Sequence, residues 1–268
     1  RPSLPAVGAV LPMAAGEQEE RDGDRCWPLQ NLRRRLEELQ SSPDKPRNGC
    51  AVLVTTGAMN PMHRGHVELL KKADERLQTE GYHTLAAYVS PTHDGYVQPK
   101  CRGLGTLGLS NLFRAELAHR TVGVDDLVAV SMFEVSQKGF VDFPQVCLEL
   151  KRFLEQQGVD ARVFYVCGTD HASKCCLTGG MRNSIGVVIV PRAGERLPKD
   201  VPGRVFVSEP TPGEIAEFSS TKVRKAIARK DEEYLVRAMA PEAVALLLRP
   251  SSEEEARFKD DFHKLSTG

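Results

Sequence analysis

The chain has 268 residues, and its 36 lysines and arginines balance its 36 aspartates and glutamates. Because the charges balance, no overall field favours nucleic acid or an acidic membrane surface, and we expect neither as a partner. No apolar run approaches the ~20 residues that span a bilayer. The seven cysteines include no Cys-x-x-Cys pair. This usage suits neither a disulfide framework nor a zinc site, and it predicts reduced thiols in an intracellular protein.

The first 46 residues are predicted to lie outside the main domain. Residues 1–25 are rich in proline, alanine and glycine and lack the apolar stretch of a secretory signal, so we expect either a disordered tail or the remnant of a transit peptide. Residues 29–39 place four leucines on one helical face, which predicts an amphipathic helix docked on the core. The run Arg33-Arg34-Arg35 allows two other interpretations of this helix. It could form a contact in a homo-oligomer, or it could be a nuclear-import signal. The compartment is left open between cytoplasm, nucleus and an organelle.

A linker of residues 41–46 precedes an alternation of strand and helix patterns. This series predicts an α/β fold of the Rossmann-like, doubly wound type, with a parallel sheet, flanking helices and a small C-terminal helical part. From Arg249 onward the sequence is polar and acidic, and we expect it to fray. Strands are predicted at residues 51–56, 84–90, 127–131, 162–167, 185–190 and 204–207. Helices are predicted at residues 65–79, from about residue 110, at 144–158, at 221–228, in a second stretch that ends at residue 239, and at 241–248.

The segment His63-Arg64-Gly65-His66 follows a β-branched strand and the small-residue turn 57–61, so it is predicted to open a helix. Two imidazoles at i and i+3 fall on the same side of the first helical turn, where free backbone N–H groups and the helix dipole favour an anion. Gly65 lets a bulky ligand approach the backbone closely. We interpret the segment as a phosphate site, with two ordinary surface histidines in a loop as the alternative.

A second segment, Phe218-Ser219-Ser220-Thr221-Lys222-Val223-Arg224, also opens a predicted helix. Three consecutive hydroxyls line its N-terminus, and Lys222 and Arg224 add cationic donors beside them. Such a segment can bind a polyphosphate through hydroxyls, backbone N–H groups and charge-assisted hydrogen bonds together. Taken alone, it is also consistent with a simple helix N-cap.

Together, the two motifs resemble those of the nucleotidyltransferase superfamily, which transfers AMP or CMP from a nucleoside triphosphate. Four further segments resemble the nicotinamide/nicotinate mononucleotide adenylyltransferase family, which makes the NAD dinucleotide. All six occur in family order between residues 50 and 248. The resemblance therefore predicts a nucleotidyltransferase domain at 47–249, followed by a polar C-terminal tail at 250–268. The four segments are Ser90-Pro91-Thr92-His93-Asp94-Gly95-Tyr96, Met132-Phe133-Glu134-Val135-Ser136-Gln137, Cys167-Gly168-Thr169-Asp170 and Val190-Pro191-Arg192-Ala193-Gly194.

The resemblance implies an adenylyltransferase that joins the AMP moiety of ATP to nicotinamide or nicotinate mononucleotide, giving NAD or deamido-NAD and pyrophosphate. Because the acceptor is itself a phosphate, its oxygen can attack the α-phosphorus in line, and no covalent enzyme intermediate is needed. Mg²⁺ is expected to bind through the ATP phosphates and water, so no dedicated set of protein metal ligands is predicted. Two alternatives stay open: transfer to another phosphate acceptor such as phosphopantetheine, and a non-catalytic nucleotide sensor or chaperone on the same fold.

The catalytic residues that the resemblance implies are His63, His66 and Arg224, with the two histidines gripping the α and β phosphates of ATP. For Asp170 a helix N-cap is the alternative, and for Arg192 a surface salt bridge. The full set of implied ATP contacts is Gly57, Ala58, His63, Gly65, His66, Gly168, Asp170, Arg192, Ser219, Ser220, Thr221, Lys222 and Arg224.

The acceptor site departs from the family in two features. Gln98 stands where animal members have a lysine two residues after the tyrosine, and the nearest cation is Lys100. The family stacks the nicotinamide ring on tryptophan, whereas the only tryptophan here, Trp27, lies outside the matched segments, and Phe133 stands at one such position. Simple packing is the alternative for Tyr96. The implied mononucleotide contacts are Ser90, Asp94, Tyr96, Lys100 and Phe133.

Overall fold

Six parallel strands form one sheet in the computed structural model, which describes residues 26–196 and 198–267. The predicted tail of residues 1–25 lies outside the described residues. The strands run in the order β3-β2-β1-β4-β5-β6, which confirms the predicted doubly wound parallel fold. Their bounds are Cys50–Gly57 (β1), His83–Pro91 (β2), Val128–Val130 (β3), Ala161–Gly168 (β4), Gly186–Val190 (β5) and Val205–Val207 (β6).

Helices connect the strands and follow the last one. Short 3₁₀ turns occur at Leu177–Gly179 and Gly213–Glu217. The first six helices are Gln30–Ser41 (α1), Arg64–Thr79 (α2), Asp94–Gly103 (α3), Asn111–Val122 (α4), Phe133–Ser136 (α5) and Phe143–Gln156 (α6). The remaining helices of the described part are Thr169–Lys174 (α7), Ser220–Arg229 (α8), Glu232–Ala238 (α9), Pro241–Leu248 (α10), Ser252–Arg257 (α11) and Lys259–Thr267 (α12).

The strand order reverses at the centre of the sheet. Val54 of β1 pairs with Tyr88 of β2 on one side and with Tyr165 of β4 on the other. The chain builds outward from β1 to β3 and then returns to place β4 beside β1. Connections from β1 and β4 therefore diverge to opposite sides, which leaves a crevice at their carboxyl ends, where ligands bind in sheets of this kind.

Both faces of the sheet are covered, because its central strands are apolar on both sides. Leu32 of α1 and Leu150 of α6 pack on one face, and Leu70 of α2 and Ala118 of α4 pack on the other. The docking of α1 on the core is confirmed, because Arg35 donates a hydrogen bond to the Thr84 carbonyl at 2.7 Å. No helix within the described ranges is long and apolar enough to cross a membrane.

The C-terminal segment is folded, so the expectation that it frays from Arg249 is wrong. Helices α11 and α12 pack on α4, and Phe258 between them is 4% exposed. Asp261 accepts hydrogen bonds from the backbone N–H and the hydroxyl of Ser110 at 2.7 and 2.6 Å. The acidic composition concealed this arrangement because only a few aromatic and aliphatic side chains form the buried face, while the charged residues remain in solvent.

The segment after β2 forms a helix that is not among the predicted ones. Residues Asp94–Gly103 form helix α3, although Pro99 lies within it. His93 is its N-cap residue and accepts a hydrogen bond from the backbone N–H of Gly95 at 2.9 Å. The helix therefore begins at a capping side chain and continues through Pro99, which donates no backbone hydrogen bond.

Candidate active site

A first cavity of about 280 Å³ opens in the crevice at the carboxyl ends of β1, β4 and β5. It occupies the place that the reversal of strand order provides for a ligand. The structure thus brings together residues from three loops that are far apart in the chain. Seven of the predicted ATP contacts line this cavity, namely Gly57, His63, Gly65, His66, Gly168, Asp170 and Arg192.

His63 and His66 cap the N-terminus of α2. The Nδ1 atom of His63 accepts a hydrogen bond from the backbone N–H of Gly65 at 3.2 Å. In return, the backbone N–H of His63 donates to Nδ1 of His66, also at 3.2 Å. This is the reciprocal arrangement of a capping box, with imidazoles in place of a hydroxyl and a carboxylate. The Nδ1 atom of His66 also lies 3.2 Å from the carbonyl oxygen of His63. With both Nδ1 atoms accepting in this cap, the proton of each neutral ring is assigned to Nε2.

The two imidazoles lie side by side with their centroids 4.0 Å apart. Burial, together with repulsion from His66 and Arg192, lowers the pKa of His63 to about 2. Burial, reinforced by Arg192, lowers the pKa of His66 to about 4. Both rings are therefore neutral N–H donors at physiological pH. Within the described residues, no group forms a hydrogen bond with either Nε2 atom.

Gly65 is required by the position of the His63 ring. A Cβ at Gly65 would lie 3.0 Å from both Nδ1 and Cε1 of His63 and 3.4 Å from the carbonyl oxygen of Ile215. The sequence predicts that a ligand approaches Gly65 closely, whereas in the structure the His63 imidazole makes this approach. Any larger residue at this position must displace the ring that caps the helix.

Asp170 and Arg192 face the same cavity from the ends of β4 and β5. Gly168 is the N-cap residue of α7, so Asp170 lies in the first turn and does not cap the helix through its side chain. The side chain of Arg192 forms no ion pair with the described part of the chain. The structure therefore shows neither the N-cap alternative for Asp170 nor the salt-bridge alternative for Arg192.

Hydrogen bonds hold the N-terminal part of α8 against the turn that precedes α2. Ser220 donates its hydroxyl hydrogen bond to the carbonyl oxygen of Pro61 at 2.8 Å. Arg224 donates from Nη1 to the carbonyl oxygen of Asn60 at 2.6 Å, and burial lowers the pKa of its guanidinium. This turn leads directly into His63, so the two sequence motifs meet in space.

Phe218 of the second motif lines the first cavity, whereas none of the motif residues predicted to contact ATP, Ser219, Ser220, Thr221, Lys222 and Arg224, lines it. Ser219 caps the helix by accepting from the backbone N–H of Lys222 at 3.2 Å. The Lys222 ammonium pairs with Glu217 at 2.9 Å, and both side chains are exposed. The Thr221 hydroxyl accepts from Arg224 at 3.2 Å. A role for these residues in phosphate binding stays a prediction.

A second cavity of about 250 Å³ adjoins the first, and the two share Thr56, Gly57 and His171. Tyr96 and Lys100, two of the predicted mononucleotide contacts, line the second cavity. The Tyr96 ring stacks on Phe140 with centroids 4.9 Å apart, and the Lys100 ammonium lies 5.4 Å from the centroid of the Tyr96 ring. Ala58, predicted as an ATP contact, also lines the second cavity.

Lys100 places a positive charge on the wall of the second cavity, whereas Gln98 does not line it. The Gln98 amide is anchored away from the cavity, donating to the Leu109 carbonyl at 2.9 Å. Lys100 lines the second cavity one helical turn from Tyr96. The helical conformation of this segment is the reason, because residues four apart share a face.

Asp94 contributes to the site through Arg114. The Asp94 carboxylate pairs at 2.8 Å with the guanidinium of Arg114, a fully buried side chain. Asp94 itself lines neither cavity. Arg114 also donates to the carbonyl oxygens of Ala58 at 2.6 Å and Thr92 at 2.7 Å. The pair therefore fixes the loops that follow β1 and β2. Sequence reasoning missed Arg114, whose signal is a cation on the apolar side of α4.

Phe133 and Ser90 line neither of the two cavities. The Phe133 ring stacks on Trp27, with centroids 5.4 Å apart and an interplanar angle of 17°. Trp27 is 2% exposed and also meets Tyr88 edge-on. The structure therefore does not bring Phe133 together with Tyr96. The Ser90 hydroxyl is buried and has no hydrogen-bond partner among the described residues.

Glu134, Phe143 and His171 are among the residues outside the predicted set that line the second cavity. The Nε2 atom of His171 lies 3.1 Å from the hydroxyl of Tyr165, which lies 3.1 Å from Oγ1 of Thr56. These contacts form a hydrogen-bonded chain beneath the wall that the two cavities share. Glu134 and His171 each lie within or next to a matched segment, which is the signal that could have identified them.

The described residues include no group of three or more histidine, cysteine, aspartate or glutamate side chains that could hold a metal ion. This sheet, with two joined cavities and two helix N-termini at its switch point, defines an α/β protein of the nucleotide-binding type. No family model matches the chain.

Two curated sequences are similar to most of the chain. The nicotinamide/nicotinic acid mononucleotide adenylyltransferase of Arabidopsis thaliana is 26% identical over 216 residues, covering 72% of this chain and 87% of the relative. The enzyme of the same name from Oryza sativa subsp. japonica is 27% identical over 214 residues, covering 72% and 83%. The similarity to this family that the motifs predict is therefore confirmed.

Solved structures show the same fold. Plasmodium falciparum nicotinic acid mononucleotide adenylyltransferase complexed with NaAD aligns with a TM-score of 0.51 at 13% identity, covering 79% of this chain and 97% of its own. The same enzyme complexed with APC gives a TM-score of 0.50 at 12% identity, covering 79% and 96%. At this identity the likeness establishes the fold alone.

Proposed function

We propose that this protein is an adenylyltransferase that joins AMP from ATP to nicotinamide or nicotinate mononucleotide and releases pyrophosphate. One observation carries the proposal: the two cavities share Thr56, Gly57 and His171. A nucleotide in the first cavity and a phosphate acceptor in the second therefore meet at the end of β1. The names of the Arabidopsis and rice relatives support the same activity.

The geometry supports direct transfer. An oxygen of the acceptor phosphate attacks the α-phosphorus of ATP, the bond to pyrophosphate breaks, and the charge passes to the leaving oxygens. His63 and His66 present Nε2–H donors on one wall of the first cavity, held in position by the reciprocal cap. Donors that are already oriented stabilise developing charge without reorganisation, and this supplies most of the catalysis that we assign to the protein.

The leaving pyrophosphate is assigned to the two joined helix N-termini. Free backbone N–H groups and the helix dipoles of α2 and α8 favour an anion there. Arg192 faces the cavity without an ion pair among the described residues. We assign Ser219, Ser220, Thr221, Lys222 and Arg224 to the same phosphates, with Arg224 also holding the turn at Asn60.

Mg²⁺ fits this site as an ion carried by ATP. The described residues offer no cage of ligands, and the exposed carboxylate of Asp170 is the acidic side chain of the first cavity, suited to hold water on the ion. When bound, the metal neutralises the triphosphate and polarises its oxygens. Arg192 and the two histidines position the same oxygens from the protein side.

The second cavity is assigned to the mononucleotide. Lys100 and Tyr96 line it directly and provide a cation and an aromatic face. Asp94 acts as a positioning residue, because its partner Arg114 holds the loops at Ala58 and Thr92. We assign the same indirect role to Ser90 and Phe133, which lie behind the cavity wall.

Pyrophosphate release tests the proposal. Purified protein is incubated with Mg-ATP and, separately, nicotinamide mononucleotide, nicotinate mononucleotide or phosphopantetheine, and the products are identified by mass. We expect pyrophosphate together with NAD or deamido-NAD from the mononucleotides only. A dinucleotide formed from phosphopantetheine would instead identify a related transferase. Tight ATP binding without pyrophosphate release from any acceptor would identify a nucleotide sensor.

A further inference from the structure

Glu134 is a buried acid in the wall of the second cavity. It belongs to the short helix α5, which follows β3, and its side chain is 1% exposed. Its Oε1 atom forms no direct hydrogen bond within the part of the chain that the structure describes, although the Ser90 and Thr92 hydroxyls lie close enough to the carboxyl to lower its pKa. A buried carboxyl oxygen without a partner is costly, so a ligand that bonds to it recovers that free energy.

The cation nearest to Glu134 is already paired with other groups. Arg114 donates to Asp94, to the carbonyl oxygens of Ala58 and Thr92, and to the Leu109 carbonyl at 3.1 Å. The buried Ser90 hydroxyl and the Thr92 hydroxyl act on the Glu134 carboxyl and lower its pKa, but neither carries a charge that could neutralise it. The titratable and charged groups around Glu134 are Arg114 from α4, Asp142 and Cys147 at or within α6, and Tyr165 from β4, with Tyr96, Lys100, His171 and Cys175 elsewhere on the cavity wall.

The position of Glu134 places it toward the ring end of an acceptor mononucleotide. The acceptor phosphate must lie at the wall shared by the two cavities, near Thr56 and Gly57, to reach the α-phosphorus. Glu134 lines only the second cavity. The part of the acceptor remote from its phosphate, which is the pyridine ring with its substituent, is therefore the part placed toward Glu134.

Resting on the proposed function, we infer that Glu134 distinguishes the two acceptors and favours the neutral carboxamide of nicotinamide mononucleotide over the carboxylate of nicotinate mononucleotide. The carboxamide N–H groups can donate to the Glu134 carboxylate where it borders the second cavity. A ring carboxylate would instead place a second negative charge against Glu134, with Asp142 close by. Like charges brought together in a partly desolvated cavity are strongly disfavoured.

The preference depends on pH. Burial raises the pKa of Glu134 to about 7; Ser90, Thr92 and Arg114 oppose this rise, and Asp142 adds to it. Above that value Glu134 is ionised and repels the ring carboxylate. Below it the neutral carboxyl can donate a hydrogen bond to the same carboxylate, so the discrimination falls as the pH falls.

The experiment compares kcat/KM for the two mononucleotides across the pH range from about 6 to about 8.5 in the parent and in Glu134→Gln. The acceptor phosphate titrates in the same way in both substrates, so its effect cancels in their ratio. Glu149→Gln is the matched control, because Glu149 lies on α6 outside both cavities. Calorimetric binding of each mononucleotide gives the same ratio without turnover.

We expect the parent to favour nicotinamide mononucleotide by about tenfold at the alkaline end, with the ratio falling several-fold as the pH drops through about 7. Glu134→Gln should show a smaller ratio that no longer varies with pH, and Glu149→Gln should behave as the parent. A parental ratio near one at alkaline pH, or an unchanged profile in Glu134→Gln, overturns the inference while leaving the proposed function intact. If neither mononucleotide is used, the proposed function fails and this inference fails with it.

Discussion

The hydroxyl of Ser220 donates a hydrogen bond to the carbonyl oxygen of Pro61, 2.8 Å away, across a sequence separation of 159 residues. Arg224 reinforces this link by donating to the neighbouring carbonyl of Asn60. The turn between β1 and α2 is thereby held against the start of α8. The histidines that follow the turn owe their position in part to residues at the far end of the domain.

Arg224→Ala should therefore lower the stability of the protein and raise the KM for ATP. Loss of the bond to Asn60 removes a charge-assisted hydrogen bond of a kind that contributes about 1.5–3 kcal/mol, and the freed turn should loosen His63. We expect a lower Tm and a higher KM for ATP, measured by thermal unfolding and steady-state kinetics. Arg229→Ala, an exposed arginine of the same helix, is the control. An Arg224 variant indistinguishable from Arg229→Ala would contradict this assignment.

Gly65→Ala should impair turnover more than folding. The added Cβ would meet the His63 ring at 3.0 Å, and the neighbour most able to give is the imidazole, which would leave its capping position. We expect kcat to fall at least tenfold while Tm changes little, on the scale of effects from a small misplacement of a reacting group. Gly103→Ala, where a Cβ would meet nothing within 4 Å, should match the parent. Full activity in Gly65→Ala would show that the ring position does not matter.

The regular periodicities made most of the sheet and its helices predictable from the sequence. Strand β1 extends one residue beyond the prediction at each end, and helix α2 begins one residue earlier than predicted and ends where predicted. Buried strands and amphipathic helices are predictable to this extent because each carries its own periodic pattern. Helix α3 was missed since Pro99 and Gly95 suggest a loop, whereas the cap from His93 starts a helix there. The folded C-terminal helices depend on contacts with α4 that local composition does not reveal.

The site was predictable where one loop carries the chemistry and less so where distant segments cooperate. His63 and His66 line the first cavity because both belong to one helix start. Arg224 bonds to a turn that no local pattern relates to it. Phe133 stacks on Trp27, a residue more than a hundred positions earlier, so its location follows from tertiary packing alone.

Phe258→Ala tests the folded C-terminal segment. Phe258 is 4% exposed and its ring lies 4.8 Å from that of Phe113 on α4. Removal of such a side chain costs about 3–5 kcal/mol, so we expect a large decrease in the free energy of unfolding by urea denaturation. Leu104→Ala, at a side chain that is 66% exposed, should change it little. Equal stabilities of the two variants would mean that the segment is not packed in solution.

Stability should decrease in mild acid because of the buried histidines. The pKa of His63 is about 2 and that of His66 about 4 in the folded protein, against about 6.5 when unfolded. Between about pH 6.5 and pH 4 the unfolded chain therefore binds more protons, and the free energy of unfolding falls as the pH falls. His63→Asn keeps a capping acceptor but takes up no proton. Its urea midpoint should fall less steeply over this range, and an identical slope would contradict the assignment.

His66→Ala tests the central claim most directly. If Nε2–H of His66 donates to an oxygen whose charge grows as the bond to pyrophosphate breaks, turnover at saturating Mg-ATP and mononucleotide should fall by about a hundredfold or more, with ATP binding changed far less. His63→Ala should act similarly, and the double variant should lose less than the product of the two losses, because both donors serve one charge. Circular dichroism verifies folding in each variant. Near-parental turnover in folded His66→Ala would contradict the account and leave a nucleotide-binding fold without the proposed chemistry.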